Sequence, residues 1–411
     1  MRLQTLITAT LFAGIFCIIG CSKNDEITII PNTNPVGTTN PTTTNIDPYA
    51  AIKLAFGTNI DPTNLENYAN QGKPAYIVKN NLGNNVINDK TATLGRVLFY
   101  DKNLSINNTI SCANCHQQNF AFGDTALVSA GVEGGLTIRH SMRLINTRFA
   151  NEAKFFWNER AASLNIQTTM PIVDHLEMGF SGENGRGSIN TLIGKLNTIN
   201  YYKELFKLTY GDSVITENRM QNALGSFINS IQSFDSKYDI GRAQVNNDNQ
   251  PFPNFSIQEN QGKTLFTTAP VFNAAGIRTT GGLGCNAYHN APEFDIDPNT
   301  RNNGVIALAV GAGQDVNVTR APTLRDLVNN RGELNTRLMH TGGIRDLATA
   351  VSHYGGFIND NRNLDQRLKP NGVNVQRLNL QPAEIAAVVA FLKTLAGTNV
   401  YTDKKWATPF N

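Results

Sequence analysis

Cys112-Ala113-Asn114-Cys115-His116 is the stretch on which the fold turns. Two thiols two residues apart, followed at once by an imidazole, match the attachment site of a c-type haem. The thiols form thioethers to the haem vinyls, and the imidazole reaches the iron. A zinc half-site would need further Cys or His ligands nearby, and the next histidine is His140. A redox dithiol would want alternating strands and helices around it, and the flanking sequence lacks that pattern.

A second stretch has the same spacing with one change. In Cys285-Asn286-Ala287-Tyr288-His289, a tyrosine stands where the second cysteine belongs. The two stretches sit in related surroundings. Gly95-Arg96-Val97-Leu98-Phe99 precedes the first and Gly262-Lys263-Thr264-Leu265-Phe266 precedes the second. This internal repeat predicts two related units. The second stretch has two readings. Either a haem hangs on one thioether at Cys285 with His289 as its ligand, or the haem is lost and both residues are remnants.

Further out, the periodicity is helical. Met220, Leu224, Phe227, Ile228, Ile231 and Phe234 recur at steps of three and four. Ile385, Val388, Val389, Leu392 and Leu395 do the same, with Pro382 suited to the first helical position and Gly397 to the position just past the end. Asn/Gly-rich connections, such as 181–190 and 241–258, separate the helices, and long strand alternation is missing. The expectation is a mainly α protein: two cytochrome c-like haem domains, over 47–245 and 255–411, with long loops and little β structure.

The N-terminus reads as an export signal. Arg2 precedes an apolar run, Leu6 to Ile19, too short to span a bilayer as a helix. The run ends in Ile18-Ile19-Gly20-Cys21, similar to a bacterial lipoprotein processing site. Residues 1–20 are then a signal peptide, Cys21 carries lipid, and the Pro/Thr/Asn-rich 21–46 is a disordered tether. This predicts a protein on the periplasmic side of the envelope, held to the membrane through lipid alone.

The 35 basic and 32 acidic side chains leave a net charge of +3, too balanced for a nucleic-acid partner. The five cysteines are too few and too odd in number for a disulfide scaffold.

Residues from about 85 to 400 resemble the bacterial di-haem cytochrome c peroxidase and MauG family. Phe155-Phe156-Trp157-Asn158-Glu159-Arg160 is similar to that family's FFWDGR. Gln167, Pro171 and Glu177-Met178-Gly179 follow at the family's spacing. In the second half, Arg320-Ala321-Pro322-Thr323-Leu324-Arg325, Leu338-Met339-His340-Thr341-Gly342-Gly343 and Ala390-Phe391-Leu392-Lys393-Thr394-Leu395 resemble its xxPTLRN, YxHDGG and AFLKTL.

The resemblance implies that the first haem meets hydrogen peroxide and that the second passes electrons inward from a small c-type cytochrome or another periplasmic donor. Trp157 corresponds to the tryptophan that couples the two haems, Glu177 to the distal acid–base group, and Gln167 and Pro171 to the pocket lining. Arg325 corresponds to an arginine beside a haem propionate. Relatives often block the first iron with a histidine sixteen residues after the haem motif; that position here is Val132, so this iron is expected to be open. Fourteen residues after His340 stands Tyr354, the MauG-type ligand for the second iron, with His353 and Met339 as neighbouring alternatives. Calcium between the units is also implied. His140 stands where the family usually has an Asn, and no proline lies between Asn335 and His340, so calcium is an open expectation. The alternatives to a peroxidase are a MauG-like enzyme oxidising a protein or other substrate, and a mono-haem electron carrier.

Overall fold

The computed structural model describes residues 47–83 and 85–411. The expected signal peptide, Cys21 and the tether lie outside the described residues. Eleven α-helices follow one another among them: α1 Ala50–Phe56, α2 Asp89–Tyr100, α3 Cys112–Cys115, α4 Leu164–Val173, α5 Ile189–Leu196, α6 Asn200–Tyr210, α7 Glu217–Ser230, α8 Lys237–Arg242, α9 Ile257–Thr267, α10 Leu347–Gly356 and α11 Pro382–Lys393. Strands are confined to two antiparallel pairs, Pro270–Phe272 with Arg278–Gly281 and His289–Asn290 with Asp295–Ile296.

Local chemistry explains where the helices start. Asn88 accepts from the backbone N–H groups of Lys90 and Thr91 at the head of α2. Thr216 caps α7 through Arg219 N, and Ser256 with Glu259 forms a capping box on α9. Pro382 opens α11, as its fixed φ favours. Its end differs from expectation. The helix stops at Lys393, and Gly397 lies beyond it, packed against Ser233, Asp235 and Asp326. Gly397 N donates to Asp326 Oδ1 at 2.8 Å, so it serves a buried contact and not the helix cap.

The repeated Gly-x-x-Leu-Phe has a geometric cause. α2 crosses α7 and α9 crosses α11, each with a glycine at the closest approach. A Cβ on Gly95 would fall 1.9 Å from the Ala223 carbonyl oxygen, and one on Gly262 would fall 1.9 Å from that of Ala387. No side chain fits either place. The phenylalanines that follow, Phe99 and Phe266, are both buried, against Phe227 and Phe391 at the same 5.2 Å centroid distance. The two crossings are copies of one unit.

Each crossing centres a hydrophobic core. The first gathers Leu98, Phe99, Leu224, Phe227 and their neighbours, and the second gathers Phe266, Phe294, Val388 and Phe391. The C-terminal segment returns to the first core: Val400 and Trp406 are buried there, and Arg96 Nε donates to Ala407 O at 2.7 Å.

Candidate haem sites

Two cavities, of about 190 Å³ and 450 Å³, lie one beside each crossing. The first is bordered by Cys112, Cys115 and His116, the second by Cys285, Tyr288 and His289. Phe99, Leu224 and Ile228 back the first; their counterparts Phe266, Val388 and Leu392 back the second.

The opposite walls repeat too. Phe155 bridges Ala161 across a turn that carries Trp157, and Leu338 bridges Ile344 across a turn that carries His340. Both turns use left-handed residues at the same places, Phe156 and Glu159 in one and Met339 and Gly342 in the other. A capped helix follows each: α4 behind Ser163 and α10 behind Asp346. Leu164, Gln167 and Pro171 of α4 border the first cavity, and Leu347, Ala350 and Tyr354 of α10 border the second, each 183 positions later. Pro171 and Tyr354 therefore occupy equivalent seats.

Fit to a covalent haem can be judged on the donors. Cys112 and Cys115 are free thiols on the one-turn helix α3, which Ser111 and Asn114 close with a capping box. Burial pushes both thiols up to about 12. His116 Nδ1 lies 3.1 Å from Phe122 O, which orients the ring. Burial lowers its pKa. In the second site, burial pushes the His289 imidazole down to about 4, against the Pro322 carbonyl, and its Nδ1 is a buried atom without a hydrogen-bond partner. Arg143 and Arg320 border both cavities; Arg143 spends both Nη atoms on Thr336 Oγ1 and Thr323 O, so Arg320 is the one of the two that could receive a haem carboxylate. The first site has the donors a haem needs. The second has them except for one thiol.

Glu177 borders the first cavity. Burial pushes its carboxyl up to about 7, with Asp174 adding to the shift and Arg160 opposing it. The loop beneath is fixed by Val132 N, which donates to Glu177 O at 2.9 Å, and by Gly131, where a Cβ would sit 1.9 Å from Leu176 O. The Val132 side chain is buried outside the cavity lining.

In the second cavity, Tyr354 Oη accepts from Asn303 Nδ2 at 3.1 Å, and burial raises the phenol to about 12. Met339 shares this wall, its sulfur 3.5 Å from the same Asn303 amide. His353 does not border the cavity; its Nε2 is 2.9 Å from Asn303 O. Tyr288 does, with the Arg367 guanidinium 4.2 Å above its ring.

Trp157 borders both cavities, 8% exposed, and its Nε1 donates to His140 O at 2.7 Å. His140 N donates in turn to His340 O at 2.8 Å. The reverse link is present as well, from Arg320 N to Trp157 O at 3.0 Å. Each half thus reaches across to hold the other half's turn.

Arg325 departs from expectation. It is fully buried and borders neither cavity. Its Nη1 pairs with Asp239 Oδ2 at 2.8 Å, its Nη2 donates to Pro292 O at 2.8 Å, and Phe234, Tyr238 and Phe294 surround it. An arginine so occupied has no free fork for a propionate. Where calcium is an open expectation, His140 has its Nδ1 near the Ala126 and Leu127 carbonyls, and the Arg143 guanidinium donates to Thr336 Oγ1 and Thr323 O. Among the described residues, no cluster of three or more His, Cys, Asp or Glu is suited to a metal ion.

Arg143, Arg320, Asn303 and His340 were not anticipated as site residues. The signal for His340 was present: the fourteen residues from Trp157 to Pro171 recur from His340 to Tyr354.

Comparison with known proteins agrees with this geometry. Residues 89–247 match the family described as di-haem cytochrome c peroxidase. The chain is 25% identical over 308 residues to the methylamine utilization protein MauG of Methylophilus methylotrophus, covering 74% of this chain and 82% of that one. It is 28% identical over 323 residues to the cytochrome c551 peroxidase of Nitrosomonas europaea, covering 75% and 81%. Among solved structures, a MauG-like protein associated with microbial copper homeostasis superposes with a TM-score of 0.62 at 22% identity, over 83% of this chain and 99% of that one. The diheme peroxidase BthA of Burkholderia thailandensis, as its Y463M variant, gives 0.55 at 19%, over 86% and 92%. These two likenesses speak to the fold. Residues 89–247 thus carry a di-haem cytochrome c peroxidase domain by family match, and about three quarters of the chain is similar to MauG and to a cytochrome c peroxidase.

Proposed function

We propose that the chain reduces hydrogen peroxide to water at the first site, with electrons arriving through the second. The observation that carries this reading is the meeting in one cavity of Cys112, Cys115, His116, Gln167, Pro171 and Glu177, a carboxyl that titrates near neutrality. When bound, haem supplies an iron that takes up peroxide and exchanges electrons. The residues of the chain do the rest. Cys112 and Cys115 hold the macrocycle and His116 offers Nε2. Gln167 and Pro171 confine the space above. The Glu177 carboxylate takes a proton from one peroxide oxygen and returns it to the other, which leaves as water. The overall reaction consumes two electrons and two protons per peroxide and yields two waters.

The second site is built for electron transfer. The seats of Gln167 and Pro171 are filled by Ala350 and Tyr354, and the position matching Glu177 is Asp360, exposed and paired with Lys369 at 2.7 Å. Among the described residues, no Asp or Glu borders that cavity. A second haem would be held by a single thioether at Cys285, with His289 and Tyr354 as the side chains that would reach its iron. The two haem units are 47–245 and 255–411. The donor is a small c-type cytochrome or another periplasmic reductant. Anchoring through Cys21 rests on the sequence; among the described residues, no helix is long and apolar enough to cross a membrane.

Tyr354 favours a second reading, a MauG-like oxidation of a protein or other substrate. A phenol oxygen stabilises ferric iron, so the second haem would hold oxidising equivalents more readily than with a methionine. The experiment that tests the main reading mixes the ferric protein, as isolated, with peroxide. Rapid reaction without prior reduction is expected; an unreactive, six-coordinate first haem contradicts it.

A further inference from the structure

The duplicated architecture gives Trp157 a partner. His340 sits at the same place in the second turn as Trp157 in the first, and borders the second cavity as Trp157 borders the first. The two rings meet edge to face, with centroids 6.2 Å apart and planes inclined by 64°. His340 is 2% exposed, and its Nε2 lies 3.0 Å from Ala307 O, which orients the ring. A second link runs through hydrogen bonds, from Trp157 Nε1 to His140 O and from His140 N to His340 O. We propose that the electron path between the sites is the Trp157–His340 pair, with His340 as the relay residue on the side of the second haem. This rests on the two-haem reading above.

The physical argument is one of gaps. Electron tunnelling falls off steeply across empty space and less steeply through π systems and hydrogen bonds in contact. Trp157 borders both cavities, and the imidazole of His340, in contact with it and bordering the second cavity, continues the path toward Cys285 and Tyr354. In each turnover one electron leaves the second haem, whose iron goes from ferrous to ferric, and crosses the pair to the first site. There it supplies one of the two electrons consumed per peroxide; the external donor then re-reduces the second site, and a second transfer along the same pair supplies the other.

The test uses the full holoprotein with its second haem reduced by one equivalent of dithionite and then mixed with peroxide. Loss of the ferrous α-band reports the transfer. His340→Gln keeps a hydrogen-bonding group toward Ala307 and removes the ring; it should slow the transfer by about tenfold or more. His340→Phe keeps the ring and loses the hydrogen bond; it should stay within about threefold of the parent protein. Combining His340→Gln with Trp157→Leu should be no slower than the slower single variant, because both interrupt one path. A His340→Gln rate within about twofold of the parent, or equal slowing by Gln and Phe, overturns the relay. Iron per chain, measured on each variant, separates the two claims. One iron per chain overturns the two-haem reading and the relay with it. Two irons with an unchanged transfer rate overturn the relay alone.

Discussion

The indole of Trp157 and the imidazole of His340 meet edge to face at 6.2 Å, each from an equivalent turn of a duplicated unit. This contact places the pseudo-symmetry of the molecule between its two cavities. The cavities differ in lining: the same wall carries Gln167, Pro171 and Glu177 in one half and Ala350 and Tyr354 in the other, where Asp360 is paired with Lys369 instead.

Glu177 should set the pH profile. With its carboxyl pushed up to about 7, the ionised form that accepts a proton fills as pH rises through that value. The peroxide reaction should therefore accelerate from pH 6 to pH 8, and Glu177→Gln should slow it by about 10²–10⁴-fold and flatten the profile. The same shift has a sign in stability. A carboxyl whose folded pKa is raised favours the folded state below about 4.5, and that advantage is lost as pH climbs to about 7. Glu177→Gln should thus raise stability at pH 8 by about 1–3 kcal/mol and leave it unchanged at pH 4, as denaturant titrations would show.

The glycine crossings should be intolerant of any side chain. Gly95→Ala and Gly262→Ala each drive a methyl into a carbonyl oxygen 1.9 Å away, so the helices must part. A loss of about 1–3 kcal/mol is expected from overpacking, read from urea unfolding. Equal losses in both variants would match the duplicated geometry; tolerance of either would refute the contact.

Arg325→Leu should act on stability. It leaves Asp239 in the core without its guanidinium, a change of about 3–5 kcal/mol. A variant that unfolds at lower denaturant but reacts with peroxide normally per folded haem supports the structural role. Normal stability with lost activity would restore the propionate role.

Tyr354→Phe should change the second haem alone. Without Oη the ferric state loses an oxygen ligand, so the potential of that haem should rise and its spectrum shift. An unchanged spectrum would remove Tyr354 from the iron and leave Met339, the other group beside Asn303, as the ligand.

Much of this was legible in the sequence, for identifiable reasons. The haem motif, the repeated Gly-x-x-Leu-Phe and the helical periodicity are local signals, and helix caps and close crossings follow from them. Spacing also brought Trp157, Gln167, Pro171 and Glu177 to one cavity. What escaped depends on distant partners. Arg325 is part of a propionate-arginine motif by sequence, but Asp239, 86 residues away, claims its fork. Gly397 reads as a helix terminator, but Asp326 holds it four residues past the end of α11. Arg143 and Arg320 carry no local pattern; only the packing of one half on the other puts them between the cavities.

The central claim is that two haems share this chain although Tyr288 has displaced a thioether cysteine. Iron per polypeptide, read together with the reduced pyridine haemochrome band, tests it most directly. The account predicts two irons per chain and a band shifted by the one vinyl that remains unsaturated at the second haem; one iron per chain, with a band characteristic of two thioethers, would contradict it.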